Sequence, residues 1–84
     1  MTGGQPTFDD LIADAHLCIA ALDEFAMRDG GKAAARAAVT NGKRMYTRLL
    51  DYRGTVRMSA EENCLLQTTL DLLRARLRFF GEAV

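Results

Sequence analysis

Along three stretches of this chain, apolar side chains return every third and fourth residue. Phe8, Ile12, Ala15, Ile19, Leu22 and Ala26 mark the first stretch. Ala35, Ala38, Gly42, Met45, Leu49 and Tyr52 mark the second, and Leu66, Leu70, Leu73, Leu77 and Phe80 the third. Alternating steps of three and four keep side chains on one side of an α-helix, whereas a half-buried strand needs strict alternation. Leu11, Cys18 and Phe25 widen the first stripe, and Val39, Tyr46 and Leu50 run beside the second. The sequence therefore predicts three amphipathic helices.

The strong helix breakers fall between these stripes. The one proline is Pro6, and glycines stand at Gly30-Gly31 and Gly54. Thr7 with Asp10 three residues later forms a capping-box pattern, and Ser59 with Glu62 forms a better one. Gly81 stops the third helix, with Arg74, Arg76 and Arg78 placed to suit the negative end of its dipole. Asn41-Gly42 is a turn-favouring pair inside the second stripe, so the second helix would kink or break there if anywhere. The stripe stays in phase across that pair, which favours one helix.

With 84 residues there is material for one core and not two. The expected architecture is all-α: an up-down-up three-helix bundle, or a dimer of helical hairpins, with helices at about 7–29, 32–53 and 59–80. A single helical-bundle domain spans 7–84 and a flexible N-terminal tail occupies 1–6. The start, MTGGQPTF, lacks a basic segment leading into an apolar run, and no stretch reaches the ~18–20 apolar residues of a membrane span. Those features lead us to expect a soluble, cytoplasmic protein. Nine arginines against two lysines, with thirteen alanines, point to a GC-rich coding sequence and hence to a bacterial source.

Charge is balanced overall but divided along the chain. Residues 1–27 carry a formal −5, residues 28–57 carry +6 and residues 58–84 carry −1. An acidic helix followed by a basic one can align opposite charges. Asp9, His16 and Asp23 border the first stripe, and Lys32, Arg36 and Lys43 border the second, so these edges are expected to face each other. The basic stretch NGKRMYTRLLDYRGTVR raises the alternative of weak nucleic-acid binding, with Arg44, Arg48, Arg53 and Arg57 as the contacts. Three features argue against it. The bases spread over much of the helix circumference, an acidic helix sits alongside, and both tyrosines fall in or beside the apolar arc.

Catalytic and metal-binding patterns are missing from the sequence. There is no phosphate-binding loop, no nucleophile elbow and no dinucleotide fingerprint. The single histidine, His16, cannot assemble a zinc site unaided, and Cys18 two residues on projects in a divergent direction. Asp9, Asp10 and Asp14 suit the first helix turns but lack the alternation and central glycine of a calcium loop. Cys18 and Cys64 stand forty-six residues apart with no CxxC spacing. An axial offset of ~9 Å between them, at ~1.5 Å per residue, exceeds the ~7 Å a disulfide allows. Neither enzymatic activity, nor a metal, nor a cofactor is expected.

One surplus remains. Leu65, Leu72 and Phe79 form a second row on the third helix, separated from the main stripe by Glu62, Thr69 and Arg76. Leu17 falls among Asp10, Asp14, Ala21 and Glu24 on the polar side of the first helix. In a monomeric bundle the row is expected to be buried against a neighbouring helix; in a dimer it would be the interface. The function expected from the sequence is a small interaction or structural module, acting on a protein partner or on itself, with Leu17, Leu65, Leu72 and Phe79 as the candidate contact residues. Its biological role is not written in these residues.

Overall fold

The computed structural model describes residues 7–27 and 32–84, with the side chains of residues 32–34 excluded. The expected tail over 1–6, the turn at Gly30-Gly31 and the end of the first helix at 28–29 lie outside the described residues. Three helices make up the fold: α1 (Phe8–Met27), α2 (Lys32–Thr55) and α3 (Ala60–Phe79). Each packs against both others. A tilted ring contact between Phe8 and Tyr52, 6.0 Å between centroids, joins the start of α1 to the end of α2. Asp23 and Arg76 join the last turns of α1 and α3. The path is therefore up, down, up, as a three-helix bundle requires.

The two starting caps form as the sequence predicts. Asp10 N–H donates to Thr7 Oγ1 at 3.2 Å while Thr7 N–H donates to Asp10 Oδ2 at 3.3 Å. At α3, Glu62 N–H donates to Ser59 Oγ at 3.1 Å and Ser59 N–H to Glu62 Oε1 at 3.0 Å. Each pair satisfies two backbone groups that a helix start leaves without partners. The far end of α3 closes in a Schellman arrangement. Gly81, at φ 88°, donates to the Arg78 carbonyl at 2.9 Å, and Glu82 N–H donates to the Leu77 carbonyl at 3.0 Å. The chain then folds back, so that Val84 packs on the core and its carbonyl accepts from Arg74 Nε and Arg78 Nε.

α2 runs unbroken through Asn41-Gly42. The break that the turn-favouring pair invites is absent, and packing explains why. A β carbon on Gly42 would stand 3.1 Å from Leu77 Cδ2 and 3.2 Å from Leu22 Cδ1. Gly42 thus lies where α1 and α3 both press on α2, and the tertiary contact holds the helical conformation against a weak local preference.

The core is mostly leucine and isoleucine. Leu11, Ile12, Ala15, Ile19 and Leu22 come from α1, Ala35, Ala38, Met45 and Leu49 from α2, and Leu66, Leu70, Leu73 and Leu77 from α3. Burial of each large aliphatic side chain contributes roughly 1.5–3 kcal/mol, which is what holds a fold with few polar cross-links together. Ala26, the last member of the first stripe, is exposed. Tyr46, Tyr52 and Phe80 are half-buried against the core. Thr69 is the one fully buried polar residue among those described, and its hydroxyl donates to the Leu65 carbonyl at 2.8 Å, so it carries no unmet hydrogen bond.

Candidate interaction face

The bundle closes without the second row of α3. Leu65 is 43 % exposed, Leu72 37 % and Phe79 69 %. The expectation that a monomeric bundle buries this row is overturned. Small residues in the first half of α2 (Ala35, Ala38, Gly42) let the three helices approach closely, and the Leu66/Leu70/Leu73/Leu77 stripe alone then fills the space α3 must fill. Phe79 stacks edge-to-face on half-buried Phe80, with centroids 5.4 Å apart, so its ring is supported from beneath while its own surface meets water.

The row lies on the side of α3 that borders α1. Arg76, one step around the helix from Leu72 and Phe79, reaches Asp23 of α1, whereas Gln67 on the opposite flank accepts from Arg53 of α2 at 2.7 Å. Leu17 is also exposed, at 69 %, but elsewhere. It stands two residues from both Ala15 and Ile19, half a helical turn from the side of α1 that enters the core. The structure does not bring Leu17 together with Leu65, Leu72 and Phe79.

Charge is distributed differently from the expectation. Among the described side chains, which do not include that of Lys32, Asp23 pairs with Arg76 on α3, and Lys43 pairs with Glu82 in the returning tail at 2.8 Å. The acidic edge of α1 therefore turns towards α3. What α1 presents to α2 near its middle is Cys18, whose thiol approaches the Asn41 carbonyl at 4.0 Å.

Nor are the four arginines singled out for nucleic acid gathered. Arg48 lines a shallow open recess with Leu11, Asp51, Tyr52 and Thr55 on the α1 side of α2. Arg53 is on the α3 side, held by Gln67, and Arg57 follows the helix. Arg44 is exposed one turn before Arg48. These positions straddle two flanks and a connection.

Chemistry-bearing groups remain dispersed. Among the described residues no three of His, Cys, Asp and Glu come together as a metal site would need. Both cysteines are free thiols, Cys18 half-buried and Cys64 exposed. Burial pushes the Cys18 thiol above its ordinary pKa, with a further push from the charge of Asp14. No helix among the described residues is long and apolar enough to cross a membrane. Comparison with family models, with curated proteins and with solved structures finds no match to this chain.

Proposed function

We propose that this protein is a small helical interaction module that engages a protein partner through the outer face of α3 and performs no catalysis of its own. One observation carries the reading: Leu65, Leu72 and Phe79 stand exposed along α3 while the core is complete without them. Single exposed leucines are ordinary on any protein surface, but an aligned set is not. These three recur at spacing seven over fourteen residues, roughly 21 Å of one helix side. A surface of that form suits a helix or apolar groove on a partner, which reads residues at intervals of one and two turns.

The test compares captured proteins. Tagged wild type and Leu72→Glu are used as baits in lysate of the source organism, with and without nuclease. The wild type is expected to retain a partner after nuclease treatment, and Leu72→Glu to lose it while keeping its helical circular dichroism. Recovery of the same proteins by both baits would sink the proposal. A partner released by nuclease would replace it with nucleic-acid binding through the arginines of α2, which salt-sensitive retardation of random DNA and RNA would then register.

A further inference from the structure

We infer that the outer face of α3 pairs with α3 of a second copy of this chain, antiparallel, in a two-fold dimer. The inference rests on the interaction-module reading above and names the partner. The exposed row is the larger half of a heptad seam. Between residues 65 and 79, Leu65, Leu72 and Phe79 occupy one set of seam positions and Thr68 and Ala75, both exposed, occupy the other, which Glu61 continues one heptad earlier beyond the apolar row. The seam is therefore large on one side and small on the other.

That asymmetry selects the direction of pairing. In a parallel pair, like positions meet: Phe79 would face Phe79 and Ala75 would face Ala75, which crowds one layer and leaves the next underfilled. In an antiparallel pair, Leu72 and Phe79 each meet a small position, while Leu65 falls level with Glu82, past the end of the other copy's α3 at Phe79. Leu72 then sits on Ala75 of the other copy and Phe79 on its Thr68, with the two-fold axis passing between Leu72 and Ala75. Alternating large and small side chains across facing positions is how closely packed helix pairs fill space.

The flanking charges agree with the same register. Asp71 and Arg78, one heptad apart and both exposed, border the seam on the side away from α1. Antiparallel pairing brings Asp71 of one copy beside Arg78 of the other, and the two-fold repeats the pair. Asp71 accepts from neutral Gln67 Nε2 at 3.0 Å, and no ion pair holds it among the described residues. Arg78 spends its Nε on the Val84 carbonyl, and a guanidinium has four further N–H groups to offer. The other border holds Thr69, buried and satisfied within its own helix, and Arg76, already paired with Asp23. No like charges are forced together across the axis, and an isologous contact needs that self-complementarity. One pair of helix faces belongs to the small class of interfaces, below ~1,200 Å² in total. The dimer is accordingly weak, with a dissociation constant of about 10 μM to 1 mM.

Sedimentation equilibrium of the full chain across that concentration range tests the proposal. The wild type is expected to move from the monomer mass towards twice that mass. Ala75→Glu puts a charge in the seam at an exposed, helix-tolerant position and is expected to stay monomeric with unchanged helicity, so a folding defect does not enter. Asp71→Arg is expected to weaken the dimer about fivefold or more by facing arginine with arginine, and Asp71→Arg with Arg78→Asp to recover it. A wild type that remains monomeric throughout, a dimer untouched by Ala75→Glu, or a double variant no better than Asp71→Arg each overturns the pairing. Failure here is separable from failure of the broader reading. A monomer that still loses a captured protein on Leu72→Glu refutes the self-pairing and leaves the face as an interaction site.

Discussion

Gly42 of α2 and Leu77 of α3 approach so closely that a β carbon on the glycine would stand 3.1 Å from Leu77 Cδ2. Leu22 Cδ1 of α1 lies nearly as near, at 3.2 Å. The contact joins all three helices at one point and sets how tightly they converge.

Two opposed effects act at Gly42. Alanine gains about 1 kcal/mol of helix propensity over glycine, but its methyl presses on two leucine side-chain ends. Those ends are flexible and yield by a few tenths of an ångström at modest cost. Gly42→Ala is therefore expected to stay within about 1 kcal/mol of the wild type. Gly42→Leu cannot be absorbed in this way and should lose about 3 kcal/mol or more, or fail to fold. Urea midpoints measure both; a stable Gly42→Leu variant would show that the helices do not converge here.

Leu73 is fully buried in the middle of the α3 stripe, while Arg48 is exposed on α2. Truncating a buried leucine costs about 2–5 kcal/mol through lost transfer energy and the cavity left behind. For a chain of this size that is comparable with the entire stability. Arg48→Ala removes an exposed charge and should change stability by less than about 0.5 kcal/mol. Equal urea midpoints for Leu73→Ala and Arg48→Ala would place the core on the wrong side of α3.

The two predictions depend on features of unequal visibility in the sequence. Leu73 is legible from periodicity alone, and both capping boxes from residue type and spacing. The pairing of Asp23 is not. A helical wheel shows that Asp9, His16 and Asp23 share an edge, but which neighbour that edge meets depends on the handedness with which the third helix is laid beside the first two. The exposure of Leu65, Leu72 and Phe79 is hidden for a related reason. Whether a second apolar row is buried depends on how wide an arc of α3 the other helices cover, and that width follows from how closely small residues on α2 let them approach. Asn41-Gly42 misleads locally because the preference for a turn is worth less than the packing around Gly42.

The thiols should differ in reactivity and remain unlinked. Cys64 is exposed, whereas Cys18 is half-buried with its pKa raised by burial and then by Asp14. Thiolate is the reactive species, so a disulfide-exchange reagent at mildly alkaline pH should label Cys64 well before Cys18, and both at similar rates in urea. Linkage adds a sign. Because folding raises the Cys18 pKa, the folded chain holds its proton more tightly. Stability is then full below the unfolded thiol pKa and falls as pH rises through the folded value. Cys18→Ala should flatten that alkaline decline, whereas Cys64→Ala should leave it in place. A native mass two units low, with neither thiol labelled, would mean a disulfide and refute the assignment.

Replacing glycine by alanine should act with opposite sign at Gly81 and Gly54. Gly81 holds φ at 88°, where an L side chain crowds its own carbonyl at a cost of about 1–2 kcal/mol. The strain falls on the residue that lets Gly81 and Glu82 cap the Arg78 and Leu77 carbonyls, and that turns the chain so Glu82 can reach Lys43. Space is not the obstacle, since nothing lies within 4 Å of a β carbon built at Gly81. Gly54 is equally open but sits in the last turn of α2 without a positive φ. There alanine restricts the unfolded chain and favours helix, for a gain of about 0.5 kcal/mol, less than in a helix interior because the terminal turn frays. Thermal unfolding should therefore move down for Gly81→Ala and up for Gly54→Ala. A gain at Gly81 would mean that α3 does not end in the left-handed cap, and the returning tail, with its contacts from Arg74, Arg78 and Lys43, would have to be placed differently.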